Sequence, residues 1–505
     1  MTDRRFEFIQ IAEKYKPKMQ IETVRPLNGV PTKTLKDGDS VIFDFGNHYV
    51  GHVKLCLSSV GSHQDAPAFI KVKFCEAERE LNEDSSNYQG WISKGWIQEE
   101  WIHADVLPTV LELPRRYAFR YVKVEVLAVS GKYSLVIDSV EADTITSAQE
   151  NGLATCEGLT DMEKRIDEVA IRTLRNCMQD VFEDGPKRDR RLWIGDLRLQ
   201  ALANYATFGQ NDLVKRCLYL FAGTADENDR VRSCLFTEPE IEGDDTYMFD
   251  YSLFFIDTLL SYYKETKDIE TVLDLYDTAT RQLEIAKEYF DEKHVMKDSD
   301  VLGWCFLDWN LGLNKQAGAQ AVYIYSEKAM IELAHIVLEH GSKNVSIQDI
   351  ESMKTDVANK ICAAREHLFD ETKCLFVSGE NKQVSYAANA WAVLAGIWDD
   401  EKNAEILAAL EKETNAEMMV TPYMHHHYVE ALLSCGEKEK AYKHMTSYWG
   451  GMIENGADTF YELYNPENPF ESPYGSSIVN SYCHAWSCTP TYLMRMCGLT
   501  EGNLS

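Results

Sequence analysis

The sequence contains no apolar run long enough to cross a membrane. Its longest apolar stretches, around 251–260 and 389–398, are too short for a membrane span, and Asp257 interrupts the first of them. The N-terminus leads straight into charged and polar residues and lacks the apolar core of a secretion signal. These absences predict a soluble protein that is neither exported nor inserted into a membrane.

Paired cysteines are also missing from the chain. The 13 cysteines are an odd number, stand singly and form no C-x-x-C pair. In a chain without a secretion signal, such cysteines are typical of reduced, mostly buried thiols. We therefore expect a protein of the cytoplasm.

Basic residues are scarce relative to acidic ones. The chain has 51 Lys and Arg against 81 Asp and Glu, which gives a formal net charge of −30. A surface of this sign repels phosphate backbones and anionic lipids, so neither a nucleic-acid partner nor a membrane partner is expected. Aromatic residues, in contrast, reach 11% and include 10 Trp and 26 Tyr, a supply suited to stacking on flat ligand faces.

The first part of the chain has the pattern of β-strands. The 505 residues correspond to about three domains at roughly 150 residues each, unless one large repeat-built domain takes up most of the chain. Between about 40 and 145, apolar and polar residues alternate with period two, which indicates strands with one buried face. Turn signals lie between these runs. We predict an N-terminal antiparallel β-sandwich over 1–147. The alternating apolar positions are Val53, Leu55, Leu57, Ile70, Val72, Phe74, Val122, Val124 and Val126.

The pattern becomes helical near residues 146–160. Thr160 and Glu163 have the spacing of a capping box, and an apolar stripe at helical spacing follows them as far as Val181. Eleven further amphipathic stretches bring the number of predicted helices to about twelve. Because no fixed sequence period marks a solenoid, we predict a closed (α/α)6 helical barrel over 155–498. The later stretches are 196–207, 211–222, 250–264, 269–290, 316–341, 347–367, 386–397, 401–412, 423–434, 437–448 and 477–497.

The most unusual segment is the loop 184–196, which follows the first long helix. It combines Asp184, Asp189 and Asp196 with four basic residues and Trp193. A charged loop is commonly a solvated connection, but a large aromatic residue inside it favours packing over full exposure. Carboxylates beside an aromatic ring suit a sugar site, where acids act on the leaving oxygen and the ring stacks on the sugar.

Two later groups have a similar composition. Glu462 is flanked by aromatic residues that could desolvate it and change its pKa, although a solvated glutamate at a helix edge is equally consistent with the sequence. His484 lies among small and aromatic residues, where a hydrogen-bonded core histidine is the alternative. Asp308 and Trp309 form the third group, whose alternative is an ordinary loop cap.

Together these residues resemble the bacterial α-L-rhamnosidases of glycoside hydrolase family 78, in the six-hairpin glycosidase superfamily. The family loop is often written D-C-P-Q-R-E-R-L-G-W-T-G-D. Further similarity lies in Val41–Gly51, in Asp308-Trp309, in Tyr461-Glu462 and in 480–484. The resemblance implies the same order of a β-rich part and an (α/α)6 barrel. The loop positions that match at the same spacing are Asp184, Pro186, Arg188, Arg190, Trp193, Gly195 and Asp196.

Three departures from the family pattern stand out. The position of the acid, usually Glu, is Asp189, and Gly185 replaces the Cys of the family loop. The Gly-Trp-Thr run becomes Leu192, Trp193 and Ile194. The chain also ends soon after the last predicted helix, which leads us to expect a compact two-domain enzyme for small glycosides without the accessory β-domains of longer members.

The resemblance also implies a mechanism and roles for residues. The enzyme would remove terminal α-L-rhamnose from small glycosides with inversion, with Asp189 as general acid and Glu462 as general base. The residues implied to bind the sugar are Asp184, Arg188, Trp193, Asp196, Asp308, Trp309 and His484. No cofactor or metal is implied. The expected partner is a rhamnosyl glycoside or oligosaccharide, and a homodimer is left open.

One electrostatic condition follows from the sequence around the acid. Arg188, Arg190 and Arg191 surround Asp189, and nearby positive charge lowers the pKa of a carboxyl group, whereas a general acid must hold its proton. The assignment therefore requires these arginines to be engaged elsewhere. A bidentate arginine pair on Asp189 would argue against its role as acid.

Three other functions are compatible with parts of the sequence. The run His425–His427 suggests a metal enzyme, but neighbouring residues on a helix point 100° apart and cannot all bind one ion. A glycosidase of the same barrel could act on another sugar, such as an unsaturated uronide or a different deoxysugar. Because Asp189 is a substitution in the acid position, a sugar-binding protein without catalysis is the third alternative.

Overall fold

A computed structural model describes residues 4–150, 153, 156–298, 304–468 and 470–504 of the chain. Its first part is rich in strands and its second part is helical, in the predicted order. The two predicted boundary residues 1 and 155 lie outside the described residues. The strands of the first part are β1 (Gln20–Val24), β2 (Ser40–Gly61), β3 (Ala68–Cys75), β4 (Glu99–Ala104), β5 (Thr109–Glu112), β6 (Tyr117–Ala128) and β7 (Tyr133–Thr146).

Within the described residues, these seven strands form one antiparallel sheet in the order β1-β7-β2-β6-β3-β4, with β5 paired to β2. The long strand β2 belongs to both halves of the sheet. Its first half pairs with β6, and its second half pairs with β7 on one side and β5 on the other. The inward side chains of both halves share one apolar core, which includes Phe43, Leu55, Val72, Val124 and Ile137. The sheet therefore folds over itself into the predicted sandwich.

The helical part is a ring of inner and outer helices. Its helices are α2 (Asp161–Cys177), α3 (Ile194–Ala206), α4 (Asn211–Gly223), α5 (Phe249–Thr266), α6 (Ile269–Ala286), α7 (Gln316–Glu339), α8 (Ile347–His367), α9 (Tyr386–Leu394), α10 (Asp400–Leu410), α11 (Pro422–Ser434), α12 (Lys438–Glu454) and α13 (Pro490–Arg495). Short strand pairs line the loops between them: β8 (Leu192–Trp193), β9 (Cys234–Phe236), β10 (Glu242–Gly243), β11 (Phe369–Asp370) and β12 (Leu375–Phe376).

The ring closes on itself. Helices α3, α5, α7, α9 and α11 contact one another in that order, and the 3-10 turn Ala485–Ser487 bridges α11 back to α3. On the outside, α2 contacts both α12 and α13, so the first and last helices meet. The capping box at Thr160 and Glu163 starts α2 as predicted. The loop 184–196 joins α2 to α3 and ends at the first turn of an inner helix.

Two segments differ from the sequence predictions. An additional helix, α1 (Arg5–Lys14), packs against α4 and was not predicted. Only Phe8 and Ala12 on it are buried, whereas the apolar Phe6 is exposed, so its apolar residues form no clear stripe. The predicted helix 477–497 is instead two 3-10 turns followed by the short helix α13. Pro490 explains part of this difference, since proline suits the first turn of a helix but breaks its interior.

No helix among the described residues has both the length and the apolar character needed to span a membrane.

The close contact of α3 with α5 depends on a glycine. A Cβ atom added at Gly195 would lie 2.4 Å from the ring of Tyr251, which is buried and cannot move aside. We expect Gly195→Ala to lower the free energy of unfolding by about 1–3 kcal/mol, the usual cost of overpacking. The measurement is the urea or thermal unfolding midpoint.

Gly131→Ala provides the control for this prediction, because an added Cβ at Gly131 meets open space. Its midpoint should stay close to that of the parent protein. Equal midpoints for Gly195→Ala and the parent would mean that the α3–α5 contact is looser than described.

Candidate active site

The carboxylate of Asp184 organises the loop 184–196. It accepts the backbone N–H of Asp189 at 3.2 Å and that of Arg191 at 3.0 Å. The backbone carbonyl of Asp184 also accepts the N–H of Ala485 at 2.8 Å, which ties the loop to the closing segment of the ring. Gly185 suits this tight arrangement, since an added Cβ would lie 2.6 Å from the carbonyl oxygen of Arg188.

The three arginines around Asp189 are engaged elsewhere. Arg188 is buried, donates through Nε to the carbonyl of Val479 at 2.6 Å and donates through Nη2 to Glu462. Arg190 donates to the backbone carbonyls of Pro186 and Arg116, and Arg191 contacts Asp244. The guanidinium nitrogen that approaches the Asp189 carboxylate is Nη1 of Arg188, which lies 3.8 Å from Oδ1. The condition set by the sequence is thus met, because no bidentate arginine pair holds Asp189.

Glu462 is buried between a cation and a phenol. One carboxylate oxygen accepts from Arg188 and the other from the hydroxyl of Tyr474. Its backbone carbonyl accepts the indole N–H of Trp486 at 3.0 Å. Burial acts to raise the pKa of Glu462, but the charges of Arg188 and His484 and the bond from Tyr474 outweigh it and lower the pKa. The side chain is therefore an ionised carboxylate at neutral pH.

A second carboxylate cluster lies at the start of α3. Burial, followed by the charge of Asp189, raises the pKa of Asp184 to about 7. Burial also raises the pKa of Asp196, against the effect of His484. Asp196 is bonded to Nε2 of His484 at 3.1 Å and to the hydroxyl of Tyr251 at 3.3 Å. The other ring nitrogen of His484, Nδ1, is buried and has no hydrogen-bond partner in the described part of the chain.

These groups line one pocket with a volume of about 340 Å³. Eight of the nine predicted site residues contribute to its wall: Asp184, Arg188, Asp189, Trp193, Asp196, Trp309, Glu462 and His484. The aromatic part of the wall also includes Trp91, Trp96, Tyr251, Trp304, Phe306, Tyr474 and Trp486. The pocket thus combines convergent carboxyl groups with flat apolar faces, the combination expected of a site for a sugar ring.

Two family models match consecutive parts of the chain. Residues 7–144 match the glycosyl hydrolase family 78 alpha-rhamnosidase N-terminal domain. Residues 152–497, well over half of the chain, match the bacterial alpha-L-rhamnosidase 6 hairpin glycosidase domain. The chain belongs to glycosyl hydrolase family 78.

Solved structures agree with membership of this family. A rhamnosidase from Klebsiella oxytoca with rhamnose bound is 43% identical, and the match covers 97% of this chain and 98% of that one with a TM-score of 0.92. A family 78 rhamnosidase of Bacillus sp. GL1 shares the fold at 21% identity and a TM-score of 0.75. The match covers 92% of this chain but only 47% of the Bacillus chain. No curated protein sequence matches the chain significantly.

Asp308 is the one predicted site residue of this family 78 chain that lies outside the pocket wall. Its carboxylate accepts the backbone N–H groups of Trp309, Val420 and Thr421, and also the hydroxyl of Thr421. With these donors the side chain holds the loop before α11 in place. Its position therefore does not match the sugar contact that the resemblance implied. The spacing of the Asp-Trp pair could not show this, because the donors Val420 and Thr421 lie more than a hundred positions away in the chain.

Several pocket residues were not predicted from the sequence. Tyr474 contacts Glu462 but lies in an irregular segment between Pro473 and Gly475, where no periodicity marks it. Tyr251 is part of the apolar stripe of α5, a pattern that indicates packing. Trp91 and Trp96 lie in the N-terminal half, far in sequence from the barrel loops.

The three histidines of the run 425–427 do not converge on one point. His425 bonds to His444, away from its neighbours. Ligand atoms of His426, His427 and Glu430 do lie within 4.8 Å of one another. However, the guanidinium of Arg198 donates to Nε2 of His427 at 2.9 Å. This bond uses the lone pair a metal would need, and the fixed positive charge would repel a metal ion.

The bond from Tyr474 to Glu462 has a measurable consequence. We expect Tyr474→Phe to raise the pKa of Glu462, because a bond that stabilises the ionised form is lost. The family resemblance implies that Glu462 is the general base. A general base must be ionised, so activity that depends on it falls as the pH drops through its pKa. The acidic limb of the pH profile of kcat/KM should therefore move to higher pH in the variant.

Tyr448→Phe is the matched control, since the hydroxyl of Tyr448 is buried and donates to the carbonyl of Tyr464 instead of Glu462. Its acidic limb should coincide with that of the parent enzyme. A Tyr474→Phe profile with an unmoved acidic limb would contradict the description of Glu462 as the ionised group whose pKa Tyr474 lowers.

Proposed function

We propose that the protein removes terminal α-L-rhamnose from small glycosides with inversion, with Glu462 as general base and Asp189 as general acid. The observation that carries the proposal is the placement of both carboxyl groups around one buried guanidinium. Arg188 directs Nη2 at Glu462 and presents Nη1 to Asp189 from a longer distance. The two acids therefore face the same pocket in different electrostatic environments, which is how acid and base roles are divided.

Glu462 has the properties of the base. It is ionised, and its two hydrogen bonds leave lone pairs free on the carboxylate oxygens to accept a proton from water. Arg188 and Tyr474 also fix the direction of the carboxylate. Since the guanidinium of Arg188 is committed to Glu462 and to a backbone carbonyl, we assign Arg188 as a positioning residue and not as a sugar ligand.

Asp189 has the position of the acid. Its side chain is 24% exposed, against 5% for Glu462, and it lines the pocket without an arginine hydrogen bond. Its carboxyl neighbour is Asp184, whose pKa is raised first by burial and then by the negative charge of Asp189. In the reaction, Asp189 would give its proton to the glycosidic oxygen while Glu462 takes one from the attacking water.

Support for rhamnose comes from the relative and from the wall of the pocket. The Klebsiella oxytoca rhamnosidase, 43% identical, was solved with rhamnose bound. Trp193 and Trp309 offer apolar faces for the ring and its methyl group, while Asp196 and His484 offer polar atoms for hydroxyls. A uronide is disfavoured, because its carboxylate would enter a pocket with four carboxyl groups whose most buried cation, Arg188, is already paired.

We also propose the cytoplasm as the location of the protein. All 13 cysteines are free thiols, including the neighbouring buried pair Cys177 and Cys483. Neighbouring thiols that stay reduced are typical of a reducing compartment. The homodimer stays a prediction.

The activity is tested with a panel of 4-nitrophenyl glycosides and the purified protein. Hydrolysis of the α-L-rhamnoside, with little or none of the glucuronide or of other deoxysugars, is the expected result. Preference for another sugar would overturn the substrate assignment. Absence of hydrolysis together with tight rhamnose binding would instead support a binding protein.

The acid and the base are distinguished by the leaving group. Asp189→Asn and Glu462→Gln should each lower kcat on an alkyl rhamnoside by about 10²–10⁴-fold. The leaving group of α-L-rhamnosyl fluoride departs without a full proton. On this substrate the kcat of Asp189→Asn should fall far less than on the alkyl rhamnoside, whereas the kcat of Glu462→Gln should fall by the same factor on both. If Asp189→Asn lowers kcat by the same factor on both substrates, the role of Asp189 as acid is contradicted.

A further inference from the structure

The outer part of the pocket is formed by a loop from the N-terminal half of the chain. Residues 88–97 lie between β3 and β4, and Trp91, Ile92, Ser93 and Trp96 of this loop reach the wall of the active-site pocket. Trp304, from the helical part of the chain, lines the same pocket. We refer to Trp91, Trp96 and Trp304 as the rim. Asp189 and Glu462 lie in the helical part of the chain. The strand-rich N-terminal part therefore contributes surface to the site without contributing the proposed acid or base.

Two of these tryptophans are unusually exposed. Trp91 is 68% exposed and Trp304 is 52% exposed. Single exposed apolar residues need no explanation, but exposed aromatic faces gathered at the mouth of a pocket are typical of a ligand-binding surface. The two indoles thus present bare apolar area beside the place where the bond is cleaved.

The loop is held in place although its tryptophan face is bare. The indole N–H of Trp91 donates to the carbonyl of Pro473 at 2.9 Å, and its backbone N–H donates to the carbonyl of Tyr474 at 3.1 Å. The hydroxyl of Tyr88 donates to the carbonyl of Ile92 at 2.7 Å. These bonds fix the ring before a ligand arrives, so binding does not have to order it.

The rim lies on the side of the general acid. Arg190 follows Asp189 directly in the chain, and its guanidinium lies 6.0 Å from the ring centre of Trp96. Since the acid protonates the oxygen of the leaving group, the leaving group must extend outward past Asp189. The next surface it meets is the rim of Trp91, Trp96 and Trp304.

The rim is poor in groups that would bind hydroxyls. Beside the three indoles the pocket wall carries Ile92 and Met248, the hydroxyls of Ser93 and Thr246, and Arg191, whose guanidinium is bonded to Asp244. A sugar in this position would leave most of its hydroxyls without partners, whereas a planar aromatic ring would stack on an indole face.

We propose that Trp91, Trp96 and Trp304 form a binding site for an aromatic leaving group, which makes the protein selective for aryl rhamnosides. This proposal rests on the proposed function, since it concerns the leaving group of the same reaction. According to this proposal, the loop 88–97 of the strand-rich part helps to determine which leaving groups the enzyme accepts.

The test compares two substrates that share the sugar and differ in the leaving group. In 4-methylumbelliferyl α-L-rhamnoside the leaving group is a planar two-ring system, and in α-L-rhamnosyl fluoride it has no ring. We expect Trp91→Ala, Trp96→Ala and Trp304→Ala each to lower kcat/KM on the first substrate by about 3- to 10-fold, the contribution of one aromatic contact. On the fluoride each variant should stay within about twofold of the parent enzyme.

Trp101→Ala is the control, since Trp101 is also exposed on the N-terminal half but is not part of the pocket wall. The Trp101→Ala variant should have the same kcat/KM as the parent enzyme on both substrates. A thermal unfolding midpoint for each variant identifies loss of folding, and Trp91→Phe keeps a ring if Trp91→Ala is unstable. Trp91→Phe should then retain more activity on the aryl substrate than Trp91→Ala.

The possible results separate this proposal from the proposed function. If the parent enzyme hydrolyses neither rhamnoside, the proposed function fails. If the parent enzyme hydrolyses both, two results contradict the binding site for an aromatic leaving group: an equal fall in kcat/KM on both substrates in the tryptophan variants, or no fall on either. If the tryptophan variants lose as much kcat/KM on a rhamnosyl-glucose disaccharide as on the aryl rhamnoside, the rim binds sugars and the aromatic assignment is overturned.

Discussion

The arrangement of the active site depends on one buried ion pair. The guanidinium of Arg188 is excluded from water, and its charge is compensated by Glu462 across the pocket floor. Removing one partner of such a pair costs about 3–5 kcal/mol, because the other charge stays buried without compensation. The pair joins the loop 184–196 to the segment before α13, and with it the two ends of the helical ring. The contact that helps to close the ring therefore also orients the carboxylate of Glu462.

The strand-rich N-terminal part of the chain contacts both segments that this pair joins. Lys187, the neighbour of Arg188, is buried and contacts the carboxylate of Glu80 at 2.5 Å and the carbonyl of Asn480 at 2.8 Å. The carboxylate of Glu76 accepts the backbone N–H of Tyr482 at 2.7 Å. The sandwich thus holds both segments that the Arg188–Glu462 pair connects, and the loop 88–97 reaches the pocket from the same side. The two halves of the chain build one site.

Features encoded locally were predictable from the sequence, and features created by distant contacts were not. The period-two and helical patterns predicted the sandwich and the ring, and the spacing within 184–196 located the loop whose residues line the pocket. Asp308 and Tyr474 show the limit. Three of the four bonds to the Asp308 carboxylate come from Val420 and Thr421, and Tyr474 reaches Glu462 from a segment without regular structure. No local pattern distinguishes a carboxylate that caps a loop from one that binds a sugar.

The division of roles between Asp189 and Glu462 is tested most directly by the stereochemistry of the product. With Glu462 activating a water on the face of the sugar opposite the leaving group, the first product must be β-L-rhamnose. Proton NMR of an aryl α-L-rhamnoside, recorded within the first minutes after adding enzyme and before mutarotation, should show the β-anomer growing first. Initial formation of the α-anomer would mean that a carboxylate attacks the sugar itself, and the account of Glu462 as a general base would be wrong.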